Sequence, residues 1–218
     1  MPSISAIESQ QKDPQRVNIY LDGKFAFGLA LITAGWLKVG QELNEEKIVS
    51  LQAEDANEMA YQKALHYLSY RPRSLMEVRQ NLLKRNIPAT IVEAALKRLE
   101  AARLVNDQEF ARAWIENRNT FRPRSRMALR AELRRKGISD EVAEPVLEEE
   151  VDDQALAFAA ARKYGPRLRD LTWFEFRQKL SGFLARRGFS YTTLSPVVSE
   201  VWKETRMADD GGTSEKKD

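Results

Sequence analysis

The segment Arg71-Pro-Arg-Ser74 recurs as Arg122-Pro-Arg-Ser125, 51 residues further along the chain. The same shift aligns residues that follow the two segments: Met76 with Met127, Arg79 with Arg130, Leu82 with Leu133, Ile87 with Ile138, Glu93 with Glu144 and Leu96 with Leu147. A second shift of 51 aligns Arg135-Lys-Gly-Ile138 with Arg186-Arg-Gly-Phe189. Self-similarity at a fixed period of this length is typical of repeated helical elements. The sequence therefore predicts three helical repeats in tandem.

Signals for helix starts and ends lie at regular places inside the repeats. Ser74-Leu-Met-Glu77, Thr90-Ile-Val-Glu93 and Thr172-Trp-Phe-Glu175 have capping-box spacing. In a capping box the first side chain accepts from a first-turn N–H, and the glutamate reaches back to the backbone. Gly137 and Gly188 stand where the second helix of a repeat ends, and glycine favours the left-handed conformation that closes a helix. Each repeat is therefore predicted to be a three-helix bundle.

A β-hairpin is predicted before the first repeat. Apolar residues alternate with others over residues 17–27, and Asp22-Gly23 interrupts the alternation near its middle. Asp-Gly supplies the positive φ angles of a type I′ turn. Two strands alone are marginally stable, so we expect the hairpin to lie against helices. It is interpreted as a structural cap, with a docking edge as the alternative.

The predicted fold class is mainly α, with tandem three-helix-bundle repeats, three in number, and an N-terminal β-hairpin. A chain of 218 residues with 43% hydrophobic residues is long enough to bury a sizeable core. The predicted segments are a flexible N terminus at 1–15, the hairpin and a connecting helix at 16–55, the repeats at 56–106, 107–153 and 154–204, and a disordered tail at 205–218.

The composition excludes several classes of catalytic site. The chain has no cysteine and a single histidine, His66, which removes thiol nucleophiles, disulfides and Cys/His zinc sites. No catalytic residue, metal site or cofactor is predicted. The consecutive glutamates 148–150 are not predicted to bind a metal, because on a helix they point three ways and do not converge on an ion. Residues 1–11 lack the basic and apolar parts of a secretory signal, and the longest charge-free apolar stretch, 25–37, is too short to span a bilayer. We expect a cytoplasmic protein with no membrane contact.

Arginines are the leading candidates for a binding surface. Residues 103–136 carry ten basic side chains and four acidic ones, whereas residues 140–153 carry eight acidic side chains and no basic one. Proline keeps each Arg-Pro-Arg loop extended, so both arginines can point outward. The predicted partner-binding or nucleic-acid-binding residues are Arg71, Arg73, Arg79, Arg122, Arg124, Arg126, Arg130, Arg134, Arg135, Arg186 and Arg187. The alternative is that these arginines pair with neighbouring carboxylates. The acidic stretch is interpreted as a solvated face or a protein-docking surface.

These motifs resemble those of the RecX family of bacterial regulators of the RecA recombinase. The resemblance rests on Val17-Asn-Ile-Tyr-Leu-Asp-Gly-Lys-Phe-Ala-Phe-Gly28, Tyr70-Arg-Pro-Arg-Ser-Leu-Met-Glu-Val-Arg79, Asp107-Gln-Glu-Phe-Ala-Arg-Ala-Trp114 and Leu133-Arg-Arg-Lys-Gly-Ile138. It implies a non-enzymatic regulator that binds the RecA filament on single-stranded DNA and inhibits its recombinase and coprotease activities, in DNA recombination, DNA repair and the SOS response. The sequence departs from the common family pattern at Asn86, where a helix-ending glycine is expected.

Two functions from different classes remain open at this point. The first is regulation of the RecA filament. The alternative is a direct DNA-binding or chromosome-organising protein that acts without RecA, because the same arginines and an isoelectric point of about 9.1 suit a polyanion. A direct contact to DNA is left open in both cases, and we expect a monomer. An enzyme is not predicted, because the motifs supply no nucleophile, base and orienting group together.

Overall fold

The computed structural model describes the backbone of residues 1–211 and the side chains of residues 1–207. The chain divides into unit 1, Met1–Asn106, and unit 2, which begins at Asp107. Unit 1 contains strands β1 (Ile4–Ser9), β2 (Arg16–Leu21) and β3 (Lys24–Ala30) and helices α1 (Leu31–Ala34), α2 (Glu45–Leu68), α3 (Leu75–Leu83) and α4 (Ala89–Ala101). Unit 2 contains helices α5 (Asp107–Phe121), α6 (Arg126–Arg135), α7 (Asp140–Glu150), α8 (Asp153–Tyr164), α9 (Trp173–Ala185) and α10 (Tyr191–Gly211), with a 3₁₀ helix at Gly165–Leu168.

The N terminus forms a three-stranded antiparallel sheet in the order β1-β2-β3. The β2–β3 hairpin turns at Asp22-Gly23, where both φ angles are positive as the sequence predicts. The expectation that residues 1–15 are flexible is wrong for β1, which pairs with β2. A bulge between Ile4 and Ala6 shifts the register of β1. The bulge breaks the simple apolar alternation, so the strand was not predicted from the sequence.

The sheet packs on the first half of α2. Ile19 and Leu29 of the sheet and Leu51 of α2 are fully buried in one cluster. Helix α2 runs without interruption from Glu45 to Leu68, so the predicted segment boundary at residues 55 and 56 falls inside a helix and is wrong. The cause is local, because the helix contains no glycine or proline that would end it.

Each of the three repeats contains three helices, as the sequence predicts. Repeat 1 is the second half of α2 with α3 and α4, repeat 2 is α5 to α7, and repeat 3 is α8 to α10. The second helices bury equivalent residues at intervals of 51. These are Val78, Leu129 and Leu180 at one position, and Leu82, Leu133 and Leu184 at the next. The same apolar face therefore builds the core of every repeat.

Two of the three predicted capping boxes are present. Ser74 and Thr172 accept hydrogen bonds from Glu77 N and Glu175 N, and both glutamates reach back to the cap. The third prediction is wrong, because α4 begins at Ala89 after Pro88, with no side-chain cap from Thr90. The fixed φ of proline already suits a helix entrance, so the chain enters α4 before it reaches the threonine.

The second helix ends in the same way in all three repeats. Asn86, Gly137 and Gly188 have φ angles of +59°, +81° and +89°. The next amide returns to the carbonyl five residues earlier, as from Ile138 N to Leu133 O at 3.0 Å. This is a Schellman motif, which confirms the two glycine predictions. Asn86 supplies the left-handed residue in repeat 1, because asparagine tolerates that conformation better than most residues.

The C-terminal prediction requires a correction. Helix α10 continues to Gly211, so residues 205–211 are helical and the predicted tail at 205–218 begins too early. Val201 is buried, and Thr205 Oγ1 donates to Val201 O at 2.7 Å. The segment 197–210 contains no glycine or proline that would stop the helix. Residues 212–218 of the predicted tail lie outside the described residues.

Candidate partner-binding surface

The first Arg-Pro-Arg loop holds two arginines in different surroundings. Arg71 donates to the two carboxylate oxygens of Glu77 at 3.1 and 3.3 Å, and this glutamate also closes the capping box of α3. The guanidinium of Arg73 lies 4.2 Å from the ring centroid of Tyr67, where the ring face attracts a cation. The expectation that both arginines point outward is therefore wrong for Arg73, which is half-buried.

A buried carboxylate organises the second Arg-Pro-Arg loop. Glu132 accepts hydrogen bonds from Trp114 Nε1 at 2.9 Å and Arg118 Nε at 2.8 Å, and it pairs with Arg124 Nε at 2.9 Å. Burial alone would raise the pKa of Glu132, but the donors Arg118 and Trp114 and the two guanidinium charges outweigh burial and lower it. Sequence reasoning missed this residue. The available signal was its place beside Leu133 on the inward face of α6.

Further predicted arginines connect the second and third helices of their own repeat. Arg79 donates to Glu93 at 2.7 Å, and Arg130 donates to Glu144 at 2.5 Å, 51 residues further along. Arg134 pairs with Asp140, and the hydrogen bond from Arg134 holds the pKa of this carboxyl group below its ordinary value. These three arginines are therefore neutralised within their own repeats, which is the alternative that the sequence left open.

The acidic stretch at residues 140–153 neutralises arginines of the same unit. Arg112 pairs with Glu149 at 2.9 Å and with Glu150 at 3.1 Å. Arg126 donates from its backbone N–H to Asp153 at 2.6 Å and from its side chain to the carbonyl of Val151 at 2.9 Å. The stretch therefore also contacts α5 and the start of α6, while Glu149 remains exposed, so its role as a solvated or docking face stays a prediction.

Four of the predicted arginines come together in unit 2. The backbone of Ser125 donates to Arg187 O at 3.0 Å, which places the second Arg-Pro-Arg loop against the end of α9. Burial lowers the pKa of Arg187, and three neighbouring guanidinium groups lower it further. They belong to Arg124, Arg186 and Arg122, in order of effect. Excess positive charge is therefore concentrated here.

Three of the predicted arginines are exposed and lack a carboxylate partner among the described side chains. Arg122, Arg135 and Arg186 are exposed, and none of them forms an ion pair with another side chain within residues 1–207. Such exposed guanidinium groups are suited to bind phosphate or carboxylate groups of a partner. The exposed, unpaired arginines therefore lie in unit 2, whereas five of the predicted arginines pair with carboxylates of their own repeat.

His66 and Trp173 contact neighbouring aromatic residues of the fold. His66 is exposed, and its Nε2 lies 3.0 Å from the hydroxyl of Tyr70. Trp173 is partly exposed and packs at 5.5 Å against Trp202. In the part of the chain that the structure describes, no three His, Cys, Asp or Glu side chains could hold a metal ion together. None of the helices in that part is long and apolar enough to cross a membrane.

Family profiles match four segments of the chain. Residues 2–44 match the profile described as the regulatory protein RecX N-terminal domain. Residues 60–99, 106–147 and 150–197 match the first, second and third three-helix domains of RecX. The three matches lie on the three repeats, so the profile and the internal repeat agree.

Sequence relatives and solved structures agree with the profiles. The regulatory protein RecX of Bacillus pumilus is 34% identical over 93% of this chain and 78% of its own length. The regulatory protein RecX of Bacillus licheniformis is 33% identical over 99% of this chain and 82% of its own length. A crystal structure of regulatory protein RecX has a TM-score of 0.73 at 30% identity, and it covers 94% of this chain and all of that chain. RecX from Lactobacillus salivarius has a TM-score of 0.61 at 25% identity, over 68% of this chain and 97% of that one.

Proposed function

Because this chain belongs to the RecX family of regulatory proteins, we propose that it binds the RecA filament on single-stranded DNA and inhibits it. The regulated activities are recombination and the coprotease function, in the cytoplasm. The observation that carries the proposal is the match of the N-terminal domain and all three repeats to one family of regulators. The resemblance of the Arg-Pro-Arg and hairpin motifs supplies RecA as the partner.

The state of the carboxylates supports a binding role without catalysis. Five carboxyl groups have a pKa below the ordinary value: Glu58, Glu132, Asp140, Glu175 and Glu204. A general acid needs a pKa raised toward neutrality, and these groups are all anions at pH 7. Four of the five accept from arginine, and the fifth caps a helix, so they hold the fold together.

The free arginines of unit 2 are the proposed contact. A filament of protein on DNA presents phosphate and carboxylate groups, which bind guanidinium in charge-assisted hydrogen bonds. Arg122, Arg135, Arg186 and Arg187 have no carboxylate to release first. By contrast Arg79 and Arg130 would have to break an existing pair before they could bind a partner. We therefore assign binding to the first group and helix connection to the second.

Inhibition of the DNA-dependent ATPase and of strand exchange by RecA tests the function. We expect the full chain to inhibit both at a small fraction of the RecA concentration. Arg122→Ala should weaken inhibition about threefold to tenfold, because a phosphate or carboxylate contact is lost. Arg71→Ala is the matched control. Arg71 occupies the equivalent position of the first Arg-Pro-Arg loop, but it is already paired with Glu77. Unchanged RecA activity with the wild-type chain would overturn the function, and equal effects of both variants would overturn the assignment.

Direct DNA binding without RecA is the second candidate. It is favoured by the four arginines that come together around Arg187. A wild-type chain that compacts or bridges naked DNA while RecA activity is unaffected would establish it. Inhibition of RecA by the same chain would favour the filament.

A further inference from the structure

A pocket with an unusual combination of side chains lies within unit 2. Its volume is about 130 Å³, and it is formed by the end of α5, the end of α8 with the following 3₁₀ helix, and the end of α9. Aromatic rings and cations line it together: Phe121, Tyr164 and Phe183 with Lys163, Arg167 and Arg187. No carboxylate contributes to the lining. The pocket is therefore open to a ligand that is both planar and negatively charged.

One wall of the pocket is a preassembled stack, and Phe121 is the aromatic ring that stays exposed beside it. Tyr164 and Phe183 stack with ring centroids 4.0 Å apart and planes only 2° from parallel. The guanidinium of Arg187 lies 3.7 Å from the centroid of Phe183, so Tyr164 and Arg187 cover the two faces of this ring. Phe121 is 65% exposed at the pocket, although a large apolar ring usually finds a place to pack. An apolar face of this kind gains free energy when another flat ring covers it.

The cations of the pocket have no internal counterion. Lys163 and Arg167 are exposed and form no ion pair with any side chain of residues 1–207. The neighbouring Arg162 shows the contrast, because it donates to both carboxylate oxygens of Glu204 at 2.6 and 2.9 Å. The second Arg-Pro-Arg loop adds further positive charge near Arg187. The local field therefore favours an anion that comes from outside the chain.

The size and chemistry of the pocket select the ligand class. An apolar cavity of about 150 Å³ holds one benzene molecule, so a pocket of this size admits one ring system and excludes a base pair. Single strands expose bases that stack on aromatic side chains while their phosphates bind cations. In a duplex the bases are already stacked and are inaccessible to such a pocket.

We propose that this pocket binds one nucleotide of single-stranded DNA, with its base against Phe121 and its flanking phosphates on Lys163, Arg167 and Arg187. The proposal rests on the proposed function for the identity of the strand, which is the DNA within the RecA filament. It adds a contact to the DNA itself, beside the arginines of the second Arg-Pro-Arg loop. Lys163 and Arg167 escaped the sequence analysis because they lie outside the segments that repeat at 51 residues.

Binding of a naked oligonucleotide tests the cationic part without RecA. The probe is a fluorescein-labelled dT20 strand, and fluorescence anisotropy at low salt gives its affinity for the full chain. Lys163→Glu with Arg167→Glu should weaken binding at least about tenfold, since two phosphate contacts become repulsive. The matched control is Arg177→Glu with Lys203→Glu, two exposed cations of repeat 3 outside the pocket. It changes the net charge equally and should alter the affinity by less than about threefold.

A second pair of variants tests the stacking. Phe121→Ala should weaken binding of dT20 at least about fivefold, because the base loses the ring on which it stacks. Binding of an abasic strand of equal length should be unaffected, because that strand has no base to stack. Phe174→Ala removes another phenylalanine that is 75% exposed in the same unit and should affect neither strand. Circular dichroism of all four variants checks that the helices are retained.

Each alternative outcome is informative. Equal losses in the pocket variants and their controls would overturn the pocket and indicate general attraction to the positive chain. Pocket variants that keep dT20 affinity but lose binding to the RecA filament would overturn the nucleotide and assign the pocket to an acidic segment of the protein partner. A wild-type chain that inhibits RecA but does not bind dT20 would overturn this proposal and leave the proposed function standing. Binding to dT20 without inhibition of RecA would overturn the proposed function and leave the nucleotide pocket standing.

Discussion

The two Arg-Pro-Arg-Ser segments have the same four residues and different electrostatic surroundings. In repeat 1 the first arginine, Arg71, pairs with Glu77 of the following helix. In repeat 2 the position equivalent to Glu77 is Ala128, and Arg122 has no carboxylate partner among the described side chains. Both serines nevertheless cap their helices in the same way. The motif thus fixes the helix start, while a residue three positions into the helix decides whether its charge is available.

The second arginine of the motif shows the opposite difference. Arg124 of repeat 2 pairs with the buried Glu132, whereas Arg73 of repeat 1 stacks on Tyr67. The position equivalent to Glu132 in repeat 1 is Asn81. Arg73 Nε and Asn81 Oδ1 are buried, and neither has a hydrogen-bond partner within the described residues. A buried polar group without a partner costs free energy, so the second arginine of the motif is better satisfied in repeat 2 than in repeat 1.

Ala128 also allows repeat 3 to approach repeat 2 closely. The turn at Gly188 lies directly on the second Arg-Pro-Arg loop, and a Cβ added there would stand 2.8 Å from the Cβ of Ala128. A glutamate at residue 128, as at the equivalent position in repeat 1, would collide with this turn. The loss of the capping glutamate in repeat 2 therefore frees Arg122 and makes room for the neighbouring repeat at the same time.

The largest expected effect is that of Gly188→Ala, which should disrupt the close packing of repeat 3 on repeat 2. Gly188 has a φ of +89°, and the new Cβ would stand 2.5 Å from the buried Ser125 Oγ. Backbone strain of about 1 kcal/mol and overpacking of about 2 kcal/mol should lower the free energy of unfolding of unit 2 by about 3 kcal/mol. Hydrogen exchange of the α6 amides in urea measures this value for unit 2 alone.

Gly23→Ala is the control for the backbone contribution. Gly23 has a φ of +81°, but an added Cβ would meet nothing within 4 Å. This variant should cost only about 1 kcal/mol, measured on the strand amides of unit 1. If Gly188→Ala cost no more than Gly23→Ala, the close packing of repeats 2 and 3 would be disproved.

The next effect concerns the carboxylate that repeat 1 lacks. Glu132→Gln removes the negative charge from three donors and should lower the free energy of unfolding of unit 2 at pH 7 by about 2 kcal/mol. The estimate is moderate because Arg124 and Arg118 are partly exposed and can regain water. Urea denaturation with exchange of the α6 amides measures it. Glu148→Gln, at an exposed position of the same unit, should change nothing.

The lowered pKa of Glu132 determines how the effect of Glu132→Gln on the free energy of unfolding changes with pH. Because the pKa of Glu132 is lowered in the folded state, its stabilisation is complete above the ordinary glutamate value of 4.5. The stabilisation disappears as the pH falls through the lower folded pKa. The difference between wild type and Glu132→Gln should therefore be constant from pH 7 to about 5 and shrink below pH 4.5. A difference that grew on acidification would show that Glu132 is not an anion in the native state.

The sequence predicts the fold better than it predicts the site. Most elements of the fold depend on residues that are close together in the sequence, whereas the site depends on residues that are far apart in it. Capping at Ser74, the turn at Asp22-Gly23 and the helix end at Gly188 depend on residues within one turn of each other. The strand Ile4–Ser9 was missed because its bulge disrupts the local pattern. The helix start at Pro88 was missed because two local signals compete.

The site depends on contacts between residues that are distant in sequence. Arg112 finds Glu149 only after α5 and α7 have packed, so counting charges placed a basic and an acidic surface where the fold largely neutralises both. Glu132 appears in the sequence as one acid among many bases, and its burial follows from the packing of α6. The arginines of the predicted strip could be found from the sequence, but which of them are free could not.

A smaller effect is expected from giving repeat 1 the carboxylate of repeat 2. Asn81→Glu should place an anion where Arg73 can reach it, as Arg124 reaches Glu132 51 residues later. We expect unit 1 to gain about 1 kcal/mol at pH 7, since a partly buried pair replaces two unsatisfied groups. Exchange of the α3 amides measures the gain. Adding Arg73→Ala should abolish it, and a loss of stability in the single variant would show that Tyr67 holds Arg73 out of reach.

The smallest effect lies at Asn86, where the second helix of a repeat ends without the glycine found in the other two repeats. Asn86→Gly makes repeat 1 match Gly137 and Gly188, and it removes the strain of a side chain at a φ of +59°. The gain is partly offset because glycine also makes the unfolded chain more flexible, so we expect about 0.5 kcal/mol of added stability in unit 1. The reciprocal change Gly137→Asn should cost unit 2 a similar amount, as both residues occupy the same place in a Schellman motif. Exchange of the α3 and α6 amides compares the two, and opposite shifts of equal size would show that these two helix ends are energetically equivalent. A large loss from Gly137→Asn alone would instead show that repeat 2 requires close backbone approach at this turn, as it does at Gly188.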